Sequence, residues 1–253
     1  MSATLSSQSD VRLEEILIHT IAGMLDGLRH VAVGASSPVP GAAALLARAR
    51  SGERTRVSVL GSEDHNFFTD GGKELFDCAG QGRIDAFFLS GAQIDGNANI
   101  NLVSIGDPDL PKARFPGSFG SGYLYYVVPR VILFRLEHTK RTLVEQVDFI
   151  SAPGFSEPNV YRPGGPFAMI TDRCLFDVDK ERRRFVLKSV HPGETVESIA
   201  ENTGFDYDVP AEVPTTPLPD AETLALMRGR IAGEIAEIYP GFAKRVFGLE
   251  KAA

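Results

Sequence analysis

Cysteine is scarce in this 253-residue chain: Cys78 and Cys174 are the only two, with no C-x-x-C pair. That excludes a disulfide framework and a zinc ribbon, and the five scattered histidines leave no metal-ligating spacing, so no metal site is expected. No apolar run reaches the roughly 18 residues of a membrane-spanning helix. Met1 to Asp10 is polar and Ser-rich, without the apolar core of a signal peptide. A cytoplasmic location is therefore expected, by elimination. Basic surplus is missing too: 26 Lys and Arg stand against 33 Asp and Glu, a net charge of −7. This argues against a nucleic-acid or anionic-membrane partner, because both require concentrated cationic surface. Neither a Gly-x-Ser-x-Gly nucleophile elbow nor the dinucleotide G-x-G-x-x-G fingerprint is present.

What remains is ordinary for a globular protein, with 43% hydrophobic and 23% charged residues and enough length for a sizeable core. Residues 1–9 read as disordered, and Asp10 can cap a following helix. Leu13, Ile16, Leu17, Thr20, Ile21, Met24 and Leu28 then recur at helical spacing. His30 to Val33, Arg56 to Leu60 and Ile84 to Leu89 read as strands. The glycines at 34, 61 and 91 follow them, and helices are expected over 41–50 and 73–79. This alternation predicts an α/β fold with an open, mostly parallel sheet flanked by helices. Ligands of such sheets bind at loops past the carboxyl ends of strands.

Beyond about Val131 strand-like runs crowd together, at 131–136, 146–150, 167–171, 175–178 and 185–190. A more β-rich C-terminal half is expected. Thr195 caps a helix, four prolines between Pro210 and Pro219 form an arm, and Asp220 caps a last amphipathic helix. The division expected is one α/β domain over 10–240 and a tail over 241–253.

Two loops exceed what a scaffold needs, and a third lies where an α/β site would be. Gly91 to Asn101 carries Gln93, Asp95, Asn97, Asn99 and Asn101. Such amides can recognise a carbonyl or carboxylate, or satisfy the turn's own backbone. Gly117-Ser118-Phe119-Gly120-Ser121-Gly122 can aim backbone N–H groups at an oxyanion, or be a flexible loop; no helix pattern opens straight after it. Glu63, Asp64 and His65 lie past a strand end, where they can supply acid/base chemistry or form a solvated acidic turn. His138 falls in the charged turn Glu137-His138-Thr139-Lys140-Arg141 and is expected to be solvated; His19 and His30 are expected to be structural.

Several of these stretches, in order, carry a resemblance. Gly91-Ala92-Gln93-Ile94-Asp95, Ser104-Ile105-Gly106-Asp107, Pro111 to Phe115, Gly117-Ser118, Val147 to Gly154 and Glu201 to Asp206 resemble the β-subunits of glutaconate-type enzymes in the family I CoA-transferase superfamily. The resemblance covers about residues 10–235. It implies an α-type partner subunit, as αβ or α2β2, an acyl-CoA substrate whose coenzyme A is the only cofactor, and an active site at the subunit junction. Gln93, Asn97, Gly117, Ser118 and Gly120 are the substrate-binding candidates.

CoA transfer in this superfamily uses a glutamate just after a strand, within a Glu-Ser-Gly motif, as nucleophile on the thioester. Aligning Gly61 with the motif glycine puts Val59 in that place, and Glu63 and Asp64 are the next carboxylates. Superfamily members without the glutamate resemble a cholesterol ring-cleaving hydrolase or a glutaconyl-type decarboxylase, which act on acyl carbons. The expectation is hydrolysis of a C–C bond in a cyclic acyl-CoA. The alternatives are CoA transfer through Glu63, with Asp64 and His65 beside it, and a non-catalytic partner subunit.

Overall fold

The computed structural model describes residues 11–249. The disorder expected over 1–9 and the cap expected at Asp10 lie outside them. The chain alternates first: α1 (Leu13–Met24), β1 (His30–Val33), α2 (Pro38–Arg50), β2 (Arg56–Val59), α3 (Gly71–Gly80) and β3 (Ala86–Leu89). Four two-residue strands follow: β4 (Gln93–Ile94), β5 (Ile100–Asn101), β6 (Ser104–Ile105) and β7 (Ala113–Arg114). Then come α4 (Ser121–Val127), β8 (Arg130–Arg135), β9 (Pro166–Thr171), β10 (Cys174–Asp179), β11 (Arg184–Val190) and α5 (Val196–Asn202). The chain closes with α6 (Ala221–Leu226), a π turn (Met227–Ile231), α7 (Ala232–Ile238) and α8 (Pro240–Phe247).

The main sheet has the order β11-β10-β9-β8-β3-β1-β2. β2, β1, β3, β8 and β9 pair in parallel; β10 runs antiparallel to them, and β11, antiparallel to β10, returns to their direction. The strand order changes direction between β1 and β3, a topological switch point of the kind that opens a crevice at the carboxyl edge.

Both faces of the sheet are covered around β1 and β3, so every residue of those two strands is buried rather than every other one. Val31 and Val33 face one core with α1, α2 and the C-terminal helices, while Ala32 faces the other with α3 and α4. Ala86 and Phe88 point to the first core and Phe87 and Leu89 to the second, as the period-two geometry of a strand requires.

Local signals set most boundaries. The Thr195 hydroxyl accepts from Ser198 N–H at 3.1 Å, and the Asp220 carboxylate accepts from Thr223 N–H at 2.8 Å, so both expected caps form. Three expectations need correction. Residues 146–150 are irregular, because Val147 N–H (3.4 Å) and Asp148 N–H (3.0 Å) donate to the Asp95 and Gln93 side chains instead of to a strand. The segment from 241 is no tail at its start: Pro240 opens α8, whose Phe242, Ala243 and Val246 are buried in the first core. His138 is 1% exposed, not solvated, with hydroxyls of Thr171 and Thr203 each 2.9 Å from a ring nitrogen.

Candidate active site

The carboxyl edge of the parallel strands carries two separate groups of side chains. At the end of β2, Val59 is buried at 1% exposure. The chain turns at once, with Ser62 N–H donating to Val59 O at 3.1 Å and Val59 N–H donating to His65 O at 2.8 Å. Gly61 has φ +91°, a conformation that side chains rarely adopt.

A carboxylate from α7 fastens this turn. Glu237 accepts from the Ser62 hydroxyl at 2.5 Å and from Glu63 N–H at 2.9 Å. The Ser62 oxygen in turn accepts from His65 N–H at 2.8 Å. The His65 ring lies 3.3 Å from Arg48, which is also paired with Glu234 at 2.9 Å. The Glu63 and Asp64 side chains are exposed and make no hydrogen bond or ion pair among the described residues. Of the three candidates, only His65 is tied into the protein by its side chain.

The second group lies between the ends of β3 and β8. Ser90, Gly91, Leu102, Ile105, Phe115 and Arg135 contribute to the wall of a 580 Å³ cavity there. Gly91 has no alternative: a Cβ would come within 2.7 Å of Gln93 O and of the Ile100 side chain. Gly117 lines the cavity; Ser118 and Gly120 do not. Gly120 packs against the Phe76 ring, and Ser118 O accepts from Ser121 N–H at 2.9 Å. Contrary to the sequence pattern, a helix does open here, since α4 starts at Ser121.

Gln93 is buried, and both ends of its amide face protein groups. Its carbonyl accepts from Asn101 Nδ2 (2.7 Å) and Asp148 N–H (3.0 Å), and its Nε2 donates to Asp148 (3.1 Å). Asp95 organises the rest of that loop, accepting from Asn97 N–H (3.0 Å) and Asn99 N–H (3.1 Å). Asn97 itself is exposed, in a different depression beside Arg183 and Phe205. The structure therefore brings Gly117 to the cavity, leaves Gln93 as an internal brace, and places Asn97 and the Glu63 loop elsewhere.

Sequence reasoning missed the charged residues of the cavity wall. Arg135 Nη2 meets Glu137 Oε2 at 3.0 Å, and Arg141 Nη2 meets Glu137 Oε1 at 2.6 Å. The Arg141 guanidinium holds the Glu137 carboxyl below the usual carboxylate range. Glu137 and Arg141 stood in plain view, in a run that reads as a solvated turn. Among the described residues, no three His, Cys, Asp or Glu side chains gather as a metal site.

A family model described as Coenzyme A transferase matches residues 24–202. The chain belongs to the coenzyme A transferase family. It is 37% identical over 153 residues to the B-subunit of 3-oxoadipate CoA-transferase from Pseudomonas knackmussii, covering 58% of each chain. It is 34% identical over 151 residues to the B-subunit of glutaconate CoA-transferase from Acidaminococcus fermentans, covering 57% of this chain and 56% of that one. The match thus spans less than three fifths of the length of these curated relatives. Its fold is that of the decarboxylase AibA/AibB, with a TM-score of 0.75 and 27% identity over 95% of this chain and all of the other. No described helix is long and apolar enough to cross a membrane.

Proposed function

We propose that this chain is the β-type half of a heteromeric enzyme that binds an acyl-CoA at the carboxyl edge of its sheet and acts on the acyl carbons. An α-type subunit completes the site. The observation carrying this reading is Val59: the strand end where a CoA-transferase would hold its glutamate ends in a buried aliphatic side chain. Valine cannot attack a thioester, so no covalent CoA ester forms there.

The reaction class that fits is hydrolysis of a C–C bond in a cyclic β-keto acyl-CoA. Water adds to the β-carbonyl carbon, the Cα–Cβ bond breaks, and its electron pair passes to the α-carbon as a thioester enolate. That carbon then takes a proton. The α-type subunit supplies the group that activates the water. Coenzyme A enters and leaves as part of the substrate, with no further cofactor.

A second reading has support of its own. The Glu63 carboxylate is exposed and unengaged four residues past Val59, and two relatives above 30% identity are named CoA-transferases. Under it, Glu63 is the nucleophile. The experiment separating the two is exchange of CoA between glutaconyl-CoA and acetate by the complex assembled with its α-type partner. No exchange is expected. Exchange together with borohydride-sensitive labelling of Glu63 overturns the first reading in favour of the second. Turnover untouched by Glu63→Gln, Asp64→Asn and His65→Gln agrees with a catalytic group supplied by the partner and leaves this chain as the binding half.

A further inference from the structure

Part of the cavity wall belongs to an arm rather than to the core. Ile105, Ala113, Phe115, Pro116 and Gly117 line the cavity, and all lie on the β6–β7 hairpin or just past it. None of residues 105–117 is buried, although Ser104 at the root is. The hairpin register sets Ile105 opposite Ala113 and Ser104 opposite Arg114. Side chains alternate along a strand, so Ile105, Ala113 and Phe115 share one face. That face is apolar and half-buried, whereas Lys112 and Arg114 on the other face are exposed.

The arm is fastened at its root and little beyond it. Asn101 Nδ2 donates to Ser104 O at 2.6 Å, Val103 N–H donates to Asn101 Oδ1 at 3.0 Å, and Phe115 N–H donates to Val103 O at 2.9 Å. Past the root, Gly106 N–H donates to Asp148 at 2.8 Å, the one hydrogen bond that joins residues 105–117 to protein outside the hairpin among the described residues. Asp148 keeps the Gln93 amide as a second donor, so letting Gly106 go does not strand its carboxylate. At the tip, Leu110 is 82% exposed, and its N–H donates to Asp107 O within the same turn. At the far end Gly117 has φ +107° with open space where a Cβ would stand, so the backbone can pivot there. We propose that this arm is a lid. It swings on its root when a thioester enters, and it lays Ile105, Ala113 and Phe115 over the acyl group. The inference rests on the acyl-CoA reading above. A segment with so few ties opens at little cost, and burying its apolar face against the ligand favours the closed form. Closure then excludes water from the reacting carbons.

The test is amide hydrogen exchange over residues 105–117 in the complex assembled with its α-type partner, with and without glutaconyl-CoA. Binding of glutaconyl-CoA and of free CoA is followed separately by calorimetry. In the empty complex these amides are expected to exchange fast, and saturation with glutaconyl-CoA is expected to slow those of Lys112 and Phe115 at least about tenfold. Phe115→Ala trims the face that closes, so at saturation the slowing is expected to shrink to less than about twofold. If Phe115→Ala does not assemble, Ile105→Ala is read in the same way. Glutaconyl-CoA bound with exchange unchanged overturns the lid and leaves the acyl-CoA reading intact. An arm already slow in the empty complex, and no slower with ligand, overturns it in favour of a hairpin clamped by the α-type subunit. Binding of neither glutaconyl-CoA nor CoA removes the acyl-CoA reading and the lid with it.

Discussion

Ser62 and Glu237, 175 residues apart in the chain, share a 2.5 Å hydrogen bond at the carboxyl end of β2. The same carboxylate takes Glu63 N–H, so the turn beyond Val59 is held from α7 as well as by its own strand. The turn that carries Glu63, Asp64 and His65 therefore depends on the last helices of the described chain for its shape.

Ser62→Ala removes a buried hydroxyl and leaves Glu237 with one donor. It is expected to cost about 1 kcal/mol in urea unfolding. Amide exchange at Glu63 is expected to rise about tenfold in Glu237→Ala, because the freed N–H then faces water. Unchanged exchange at Glu63 would show that the turn holds without its clamp.

Gly91→Ala places a methyl against Gln93 O and the Ile100 side chain at the cavity rim. Overpacking of this kind costs about 1–3 kcal/mol. The thermal midpoint is expected to fall, since the β4–β5 hairpin must shift to admit the methyl. A midpoint equal to wild type would mean that the hairpin has slack to absorb the methyl.

Acid should weaken the fold through two buried histidines. Burial pushes His138 down to about 4, with Arg173 adding to the effect, and burial does the same to His30 beside Arg56. Each ring is neutral when folded but binds a proton near 6.5 when unfolded. Their contribution is whole above about pH 6.5, declines as the pH falls towards 4, and changes no further below that. Each ring accounts for about 3 kcal/mol across that window. Urea midpoints measured from pH 7 to 4 are expected to drop, and the drop to shrink in His138→Gln. A midpoint flat across that range would count against both assignments.

The parallel half of the fold was legible because β1, β2 and β3 are short apolar runs, each followed by glycine, with helical spacing between them. His138 was not legible. Its neighbours Glu137, Lys140 and Arg141 are charged, whereas its partners Thr171 and Thr203 stand 33 and 65 residues away. Residues 146–150 mislead for a similar reason: Val147, Phe149 and Ile150 look like a strand, but only Val147 is buried and side chains claim the backbone N–H groups. The tail expected from 241 is instead a helix that Pro240 opens and Gly248, in the left-handed region, ends. The cavity arginines escaped notice because a guanidinium's role depends on which wall it reaches, and that is settled by how β8 docks on β3.

The first and last described helices lie on the same face of the sheet. Arg12 donates to Arg245 O at 2.9 Å, and Glu15 is paired with Arg228 at 2.6 Å. During synthesis, then, that face is covered only by α1 and α2 until the C-terminal helices emerge, however early β1 to β3 appear. The core around Leu45 and Val57 is therefore completed late in translation, when Met227, Ile231, Ile235 and Phe242 arrive.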